Sequence, residues 1–90
     1  MKVLQTPTFA RQTKKLNKNQ KADLDEAVQK IVKVPSVGVM KKSDLHGVRV
    51  YKFKMVNQLT LLAYELHKDD ELLILLAVGS HENFYRNIKG

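Results

Sequence analysis

Between residues 20 and 34, apolar positions recur as Leu24, Ala27, Val28, Ile31 and Val32. That i, i+3, i+4, i+7, i+8 spacing predicts a helix burying one stripe, which Pro35 must end. A shorter periodic segment precedes it. Residues 9–17 place Phe9, Thr13 and Leu16 on one side and leave Arg11, Lys14 and Lys15 wet. Thr8 is a candidate N-cap after the break at Thr6-Pro7-Thr8, and Asn17-Lys18-Asn19 reads as the turn between two helices. Residues 2–5 are long enough for a short first strand.

The period changes after residue 47. Residues 36–47 read as a loop with a turn at Leu45-His46-Gly47. From Val48 to Val56 the alternation is close to two. Arg49, Tyr51, Phe53 and Met55 share one face; Val50, Lys52, Lys54 and Val56 share the other. Asn57-Gln58 is a tight connection, and Leu59 to His67 forms the next strand. Lys68 to Glu71 is a polar turn. Leu72 to Val78 is apolar on both faces, as in a covered strand. Ser80 can cap a last short helix through Lys89. The order β-α-α-β-β-β-α gives an α+β fold, a helical hairpin packed on a small antiparallel sheet. The hairpin covers one face; the face with Lys52 and Lys54 stays partly open. Residues 1–90 form a single domain.

Composition narrows the functions. The chain is 43% hydrophobic, enough for a folded core. It has no cysteine, which removes disulfides, thiolate metal sites and thiol nucleophiles. No apolar run approaches the roughly 18 residues of a transmembrane helix, and no signal peptide opens the chain. These features point to the cytoplasm and away from membranes. Net charge is +7. The cations Lys2, Arg11, Lys14, Lys15, Lys18 and Lys21 precede the first acid, Asp23. Such a field attracts nucleic acid or an acidic protein.

Candidate chemistry concentrates in two places. Lys52 and Lys54 point the same way with Cα atoms about 7 Å apart, close to the spacing of successive phosphates. A solvated strand face that resists aggregation would look the same. His81 stands just past the glycine that ends a buried strand. Its imidazole exchanges protons near neutral pH, so it is a candidate general acid or base; the alternative is a surface residue. Tyr85, four residues on, shares its side of a short helix and can stack on a base or donate a proton, or else anchor the helix. Arg86 and Arg49 can bind phosphate, and His46 can sit near the site. Lys14, Lys15 and Lys18 form a basic docking face on the hairpin. The three histidines lack ligand spacing, so the reading includes no metal and no cofactor.

In order and spacing, Leu45-x-Gly47, Tyr51-Lys52-Phe53-Lys54, Leu62-x-Tyr64 and Val78-Gly79 before a polar segment resemble the RelE/ParE superfamily of bacterial toxins. The resemblance spans nearly the whole chain. The Lys-x-Lys strand is similar to the RelE branch, and Gly79-Ser80-His81 with Tyr85 to the YafQ-type branch. It implies a toxin of a type II toxin–antitoxin system that cuts mRNA on the ribosome without metal and is neutralised by a cognate antitoxin in a hetero-oligomer. By position, Lys52 and Lys54 would hold the phosphate, His81 would move a proton, Tyr85 would position a base and Arg86 would assist. The strand before Tyr64 departs from the family pattern: where an arginine often stands, this chain has Leu61. A ParE-like gyrase poison, or a basic binding module without catalysis, are the other functions the same fold implies.

Overall fold

The computed structural model describes residues 1–40 and 47–81. His46, Tyr85, Arg86 and the expected C-terminal helix lie outside the described residues.

The first helix, α1, runs from Pro7 to Lys14, not from residue 9. Thr6 is its cap: the Thr6 hydroxyl accepts the Phe9 N–H at 3.1 Å and donates to the Leu76 carbonyl at 2.7 Å. Pro7 therefore opens the helix instead of merely breaking the strand before it, because a first-turn position needs no N–H. The second helix, α2, spans Lys18–Lys33. Asn17 and Gln20 satisfy each other's backbone N–H groups in a capping box, which moves the start two residues ahead of the expected one.

Five strands form one mixed sheet in the order β1-β5-β4-β3-β2. They are β1 (Lys2–Gln5), β2 (Val39–Met40), β3 (Arg49–Met55), β4 (Gln58–His67) and β5 (Leu72–Ser80). The α+β class and the antiparallel meander β3-β4-β5 are as expected. Two points differ. β1 pairs parallel to β5, so the sheet is not wholly antiparallel. The segment read as a loop contains β2, a two-residue edge strand beside Arg49 and Val50.

The helical hairpin covers one sheet face. Phe9, Leu24 and Ile31 from the helices meet Met55, Leu62, Tyr64, Leu73, Leu75 and Val78 from the sheet. Burying one such side chain contributes about 1.5–3 kcal/mol. Val48, Val50, Leu61, Ala63 and Ala77 are buried on the opposite face, which among the described residues is exposed toward its two ends, at Lys52 and Lys54 and at Glu65 and His67. A bulge in β5 leaves Leu76 between the partners of Ala63 and Tyr64. Beyond it β1 no longer reaches β5. There Gln12 of α1 accepts the Val78 N–H at 2.8 Å, which keeps a half-buried donor satisfied.

These contacts fix the direction of both helices. Gln12 beside Val78 brings the end of α1 to the end of β5. Asp23, early in α2, accepts the Val56 N–H at 2.8 Å from the β3–β4 turn. The α1–α2 connection, the β3–β4 turn and the C-terminal end of β5 thus gather at one end of the molecule. No helix among the described residues is long and apolar enough to cross a membrane.

Candidate functional site

Register decides which of the expected residues meet. On β3, Lys52 pairs with Leu61 and Lys54 with Leu59. On the far side of β4, Leu61 pairs with Gly79, and Leu59 accepts the His81 N–H at 3.2 Å. Two rows therefore cross the sheet: Lys52–Leu61–Gly79 and Lys54–Leu59–His81. Lys52, Lys54 and His81 are all exposed. Carrying the alternation of β5 one residue past Ser80 puts His81 on the side of Gly79, the lysine side. Strands are about 4.8 Å apart, so the backbones of Lys54 and His81 stand roughly 10 Å apart, within joint reach of one phosphodiester. Gly79 adds no side chain to the floor between them.

Arg49 does not join this group. It lies on the opposite face with Tyr51 and Phe53, and its guanidinium donates to the Gly38 carbonyl at 2.9 Å. The Tyr64 hydroxyl donates to the Pro35 carbonyl at 2.7 Å and accepts the Gly38 N–H at 2.9 Å. A Cβ on Gly38 would stand 2.6 Å from that hydroxyl, which is why glycine occupies the position. Burial raises the Tyr64 phenol above its ordinary value, while the Gly38 N–H and the Arg49 charge pull it back. Arg49, expected to bind substrate, is part of a structural latch between the 35–38 loop and the sheet. Sequence reasoning missed this because the Arg49 partners, the Gly38 and Ser36 carbonyls, are backbone groups, which leave no side-chain signature.

Lys14, Lys15 and Lys18 are exposed around the α1–α2 connection. They lie on the helical side, yet at the same end of the molecule as Lys54 and His81. This end therefore presents cations on both sides of the sheet. A cleft of about 150 Å³ between α2 and β3 lies beside it, lined by Asp23, Glu26, Lys30, Tyr51, Phe53 and Lys54. Its floor is the stacked pair Tyr51–Phe53, with ring centroids 6.1 Å apart and planes 9° from parallel. The row with the imidazole shares Lys54 with this cleft and is exposed along its length. An exposed cationic surface suits an extended polymer better than a small enclosed ligand.

Leu61, the middle member of the Lys52 row, is fully buried. Among the described residues, the fixed positive charge of these two rows rests on Lys52 and Lys54. Among the described residues, no three His, Cys, Asp or Glu side chains gather as a metal ion would require.

A family model described as "ParE-like toxin of type II bacterial toxin-antitoxin system" matches residues 3–89. The chain belongs to this family of toxins. Its fold is similar to that of Escherichia coli RelE. In the crystal structure of the intact RelBE toxin–antitoxin complex, the matching chain is 15% identical with a TM-score of 0.70. The match covers 88% of the toxin described here and 94% of that chain. The isolated RelE toxin is 15% identical, with a TM-score of 0.69 over 88% of this chain and 82% of the other. A RelE mutant bound to an antitoxin RelB peptide gives 15% identity and a TM-score of 0.68, covering 88% and 81%. No curated protein sequence matches the chain.

Proposed function

We propose that the toxin is a ribosome-dependent endoribonuclease that cleaves mRNA and so inhibits translation. The observation that carries this reading is the row geometry: two exposed ammonium groups and an imidazole on one sheet face, two strands apart. In the reaction, an RNA 2′-hydroxyl attacks the adjacent phosphorus as it loses its proton. The bond from phosphorus to the 5′-oxygen breaks, and that oxygen gains a proton. A cyclic phosphate and a 5′-hydroxyl result. Lys52 and Lys54 bind the phosphate and oppose the charge that builds on it. His81 accepts or donates one of the two protons. Lys14, Lys15 and Lys18 hold ribosomal RNA. Tyr85 and Arg86 follow His81 in sequence and complete the proposed set.

The same reading includes a cognate antitoxin and a cytoplasmic location. The edge strands expose Val3, Leu4, Val39 and Met40, apolar surface that an antitoxin would cover. Such binding raises the toxin's stability by mass action. The test is cleavage of mRNA on translating ribosomes by purified toxin, read by primer extension. His81→Ala, Lys52→Ala and Lys54→Ala should each remove cleavage and relieve growth arrest. Full toxicity in all three folded variants would end the proposal.

A second reading has its own support: the matching family model is ParE-like. Under it the toxin poisons DNA gyrase and cuts no RNA. Arrested cells separate the two. Early loss of protein synthesis supports the nuclease; early induction of the DNA-damage response supports the gyrase poison.

A further inference from the structure

The β3–β4 turn carries a strained residue that stability does not explain. Val56 and Asn57 are its two central residues, with φ of 48° and 67°. A two-residue hairpin with both angles positive favours Asn-Gly or Gly-Gly. Asn57 tolerates that conformation; a β-branched valine is among the worst choices for it. The Val56 N–H is held by the Asp23 carboxylate of α2, so a tertiary contact maintains the strained turn. Val56 nonetheless contributes little to the core, since it is 48% exposed. Leu59, three residues on, is 38% exposed while Thr60 through Tyr64 are buried. Neither belongs to either buried cluster.

Their position gives the clue. Leu59 is the middle member of the Lys54–Leu59–His81 row, and Val56 caps the same end of the hairpin. An apolar step is thus set between an ammonium group and an imidazole. The lysine pair beside this step selects a polyanion, and the apolar surfaces a nucleic-acid strand can offer are its bases. A base next to a phosphate held at Lys52 and Lys54 lies about 6–7 Å along the strand, one row spacing of the sheet. We propose that Val56 and Leu59 form an apolar rest for the nucleobase flanking the scissile phosphate, and that the turn keeps its strained valine for this contact. This inference rests on the nuclease reading.

The test uses ribosomes programmed with an mRNA whose codon is cleaved by the parent toxin, and the same mRNA with an abasic nucleotide beside the cleaved bond. Val56→Gly relieves the turn, so it should melt about 5 °C higher than the parent. It should also cleave about tenfold more slowly at limiting toxin, with the rate at saturation unchanged. Leu59→Ser should show the same loss in cleavage. The abasic nucleotide should slow the parent about tenfold and slow the Val56→Gly, Leu59→Ser double variant no further. An equally active Val56→Gly, or an equal abasic penalty in parent and double variant, overturns the inference while the nuclease reading stands. A parent that cleaves nothing overturns both. Lost growth arrest with cleavage intact would show that the tip grips a protein, and would also overturn it.

Discussion

The two ends of the sheet are built to different rules. At one end the Tyr64 hydroxyl, Gly38, the Pro35 carbonyl and Arg49 lock a loop to the sheet with satisfied hydrogen bonds. At the other, two lysines share a face, a valine sits at positive φ and an imidazole stands in solvent. The first arrangement stabilises the fold and offers no exposed chemistry. The second places repulsion and a β-branched residue at positive φ next to exposed chemistry; Glu71, at positive φ near the first end (φ 49°), is not β-branched. Local cost concentrated beside reactive groups is the usual mark of a working site. Substitutions at the two ends should therefore separate activity from stability.

The largest effect belongs to His81. His81→Ala should lower mRNA cleavage by about 10²–10⁴-fold, as loss of a positioned acid–base group does. Its side chain is exposed, so unfolding free energy should stay within about 0.5 kcal/mol of the parent. Urea unfolding and ribosome cleavage assays on one preparation measure both. A large loss of stability would break the distinction between the two ends.

The latch should answer in the opposite sense. Gly38→Ala forces a methyl against the Tyr64 ring and should cost about 2 kcal/mol or more. Cleavage per folded molecule should not change. Tyr64→Phe leaves the Gly38 N–H and Pro35 carbonyl without their partner and should cost about 1–3 kcal/mol. Tyr64 also sets an alkaline limit. Its phenol is raised in the folded state by burial, so the folded protein holds this proton where the unfolded chain releases it. Stability is then constant below the ordinary tyrosine value and falls as pH rises from about 10 toward the folded value. Denaturation series across that window should slope downward in the parent and flatten in Tyr64→Phe.

What the sequence revealed follows how local each cause is. The face and the C-terminal stop of α2 were legible from Leu24, Ala27, Val28, Ile31 and Val32 and from Pro35. The meander was legible from alternation and short turns, and so was the shared face of Lys52 and Lys54. The Thr6 cap was missed by two residues. Pro7 at the first helical position could have signalled it. The turn was set one residue late, at Asn57-Gln58. No local rule puts valine at positive φ, and Asp23, which holds it, is 33 residues away. β2 and the latch depend on Gly38 meeting Tyr64, 26 residues on, a contact no periodicity announces. The row joining Lys54 to His81 needed the register of three strands, which alternation alone does not fix.

The smallest expected effect tests whether the lysine pair is a stability cost. Two like charges about 7 Å apart in water repel by roughly 0.6 kcal/mol. Lys52 and Lys54 have no carboxylate within salt-bridge distance among the described residues. Salt screens this repulsion, so the parent should gain a few tenths of a kcal/mol between low and physiological ionic strength. Lys54→Gln should start with that gain and show a weaker salt response, while Arg49→Gln, at the latched end, should not. Binding to ribosomes should run the other way and weaken with salt in both the parent and the Arg49 variant, since the polyanion contact is screened as well. Equal salt responses in Lys54→Gln and the parent would mean that the pair carries no repulsive cost, and the contrast between the two ends would then rest on Val56 alone.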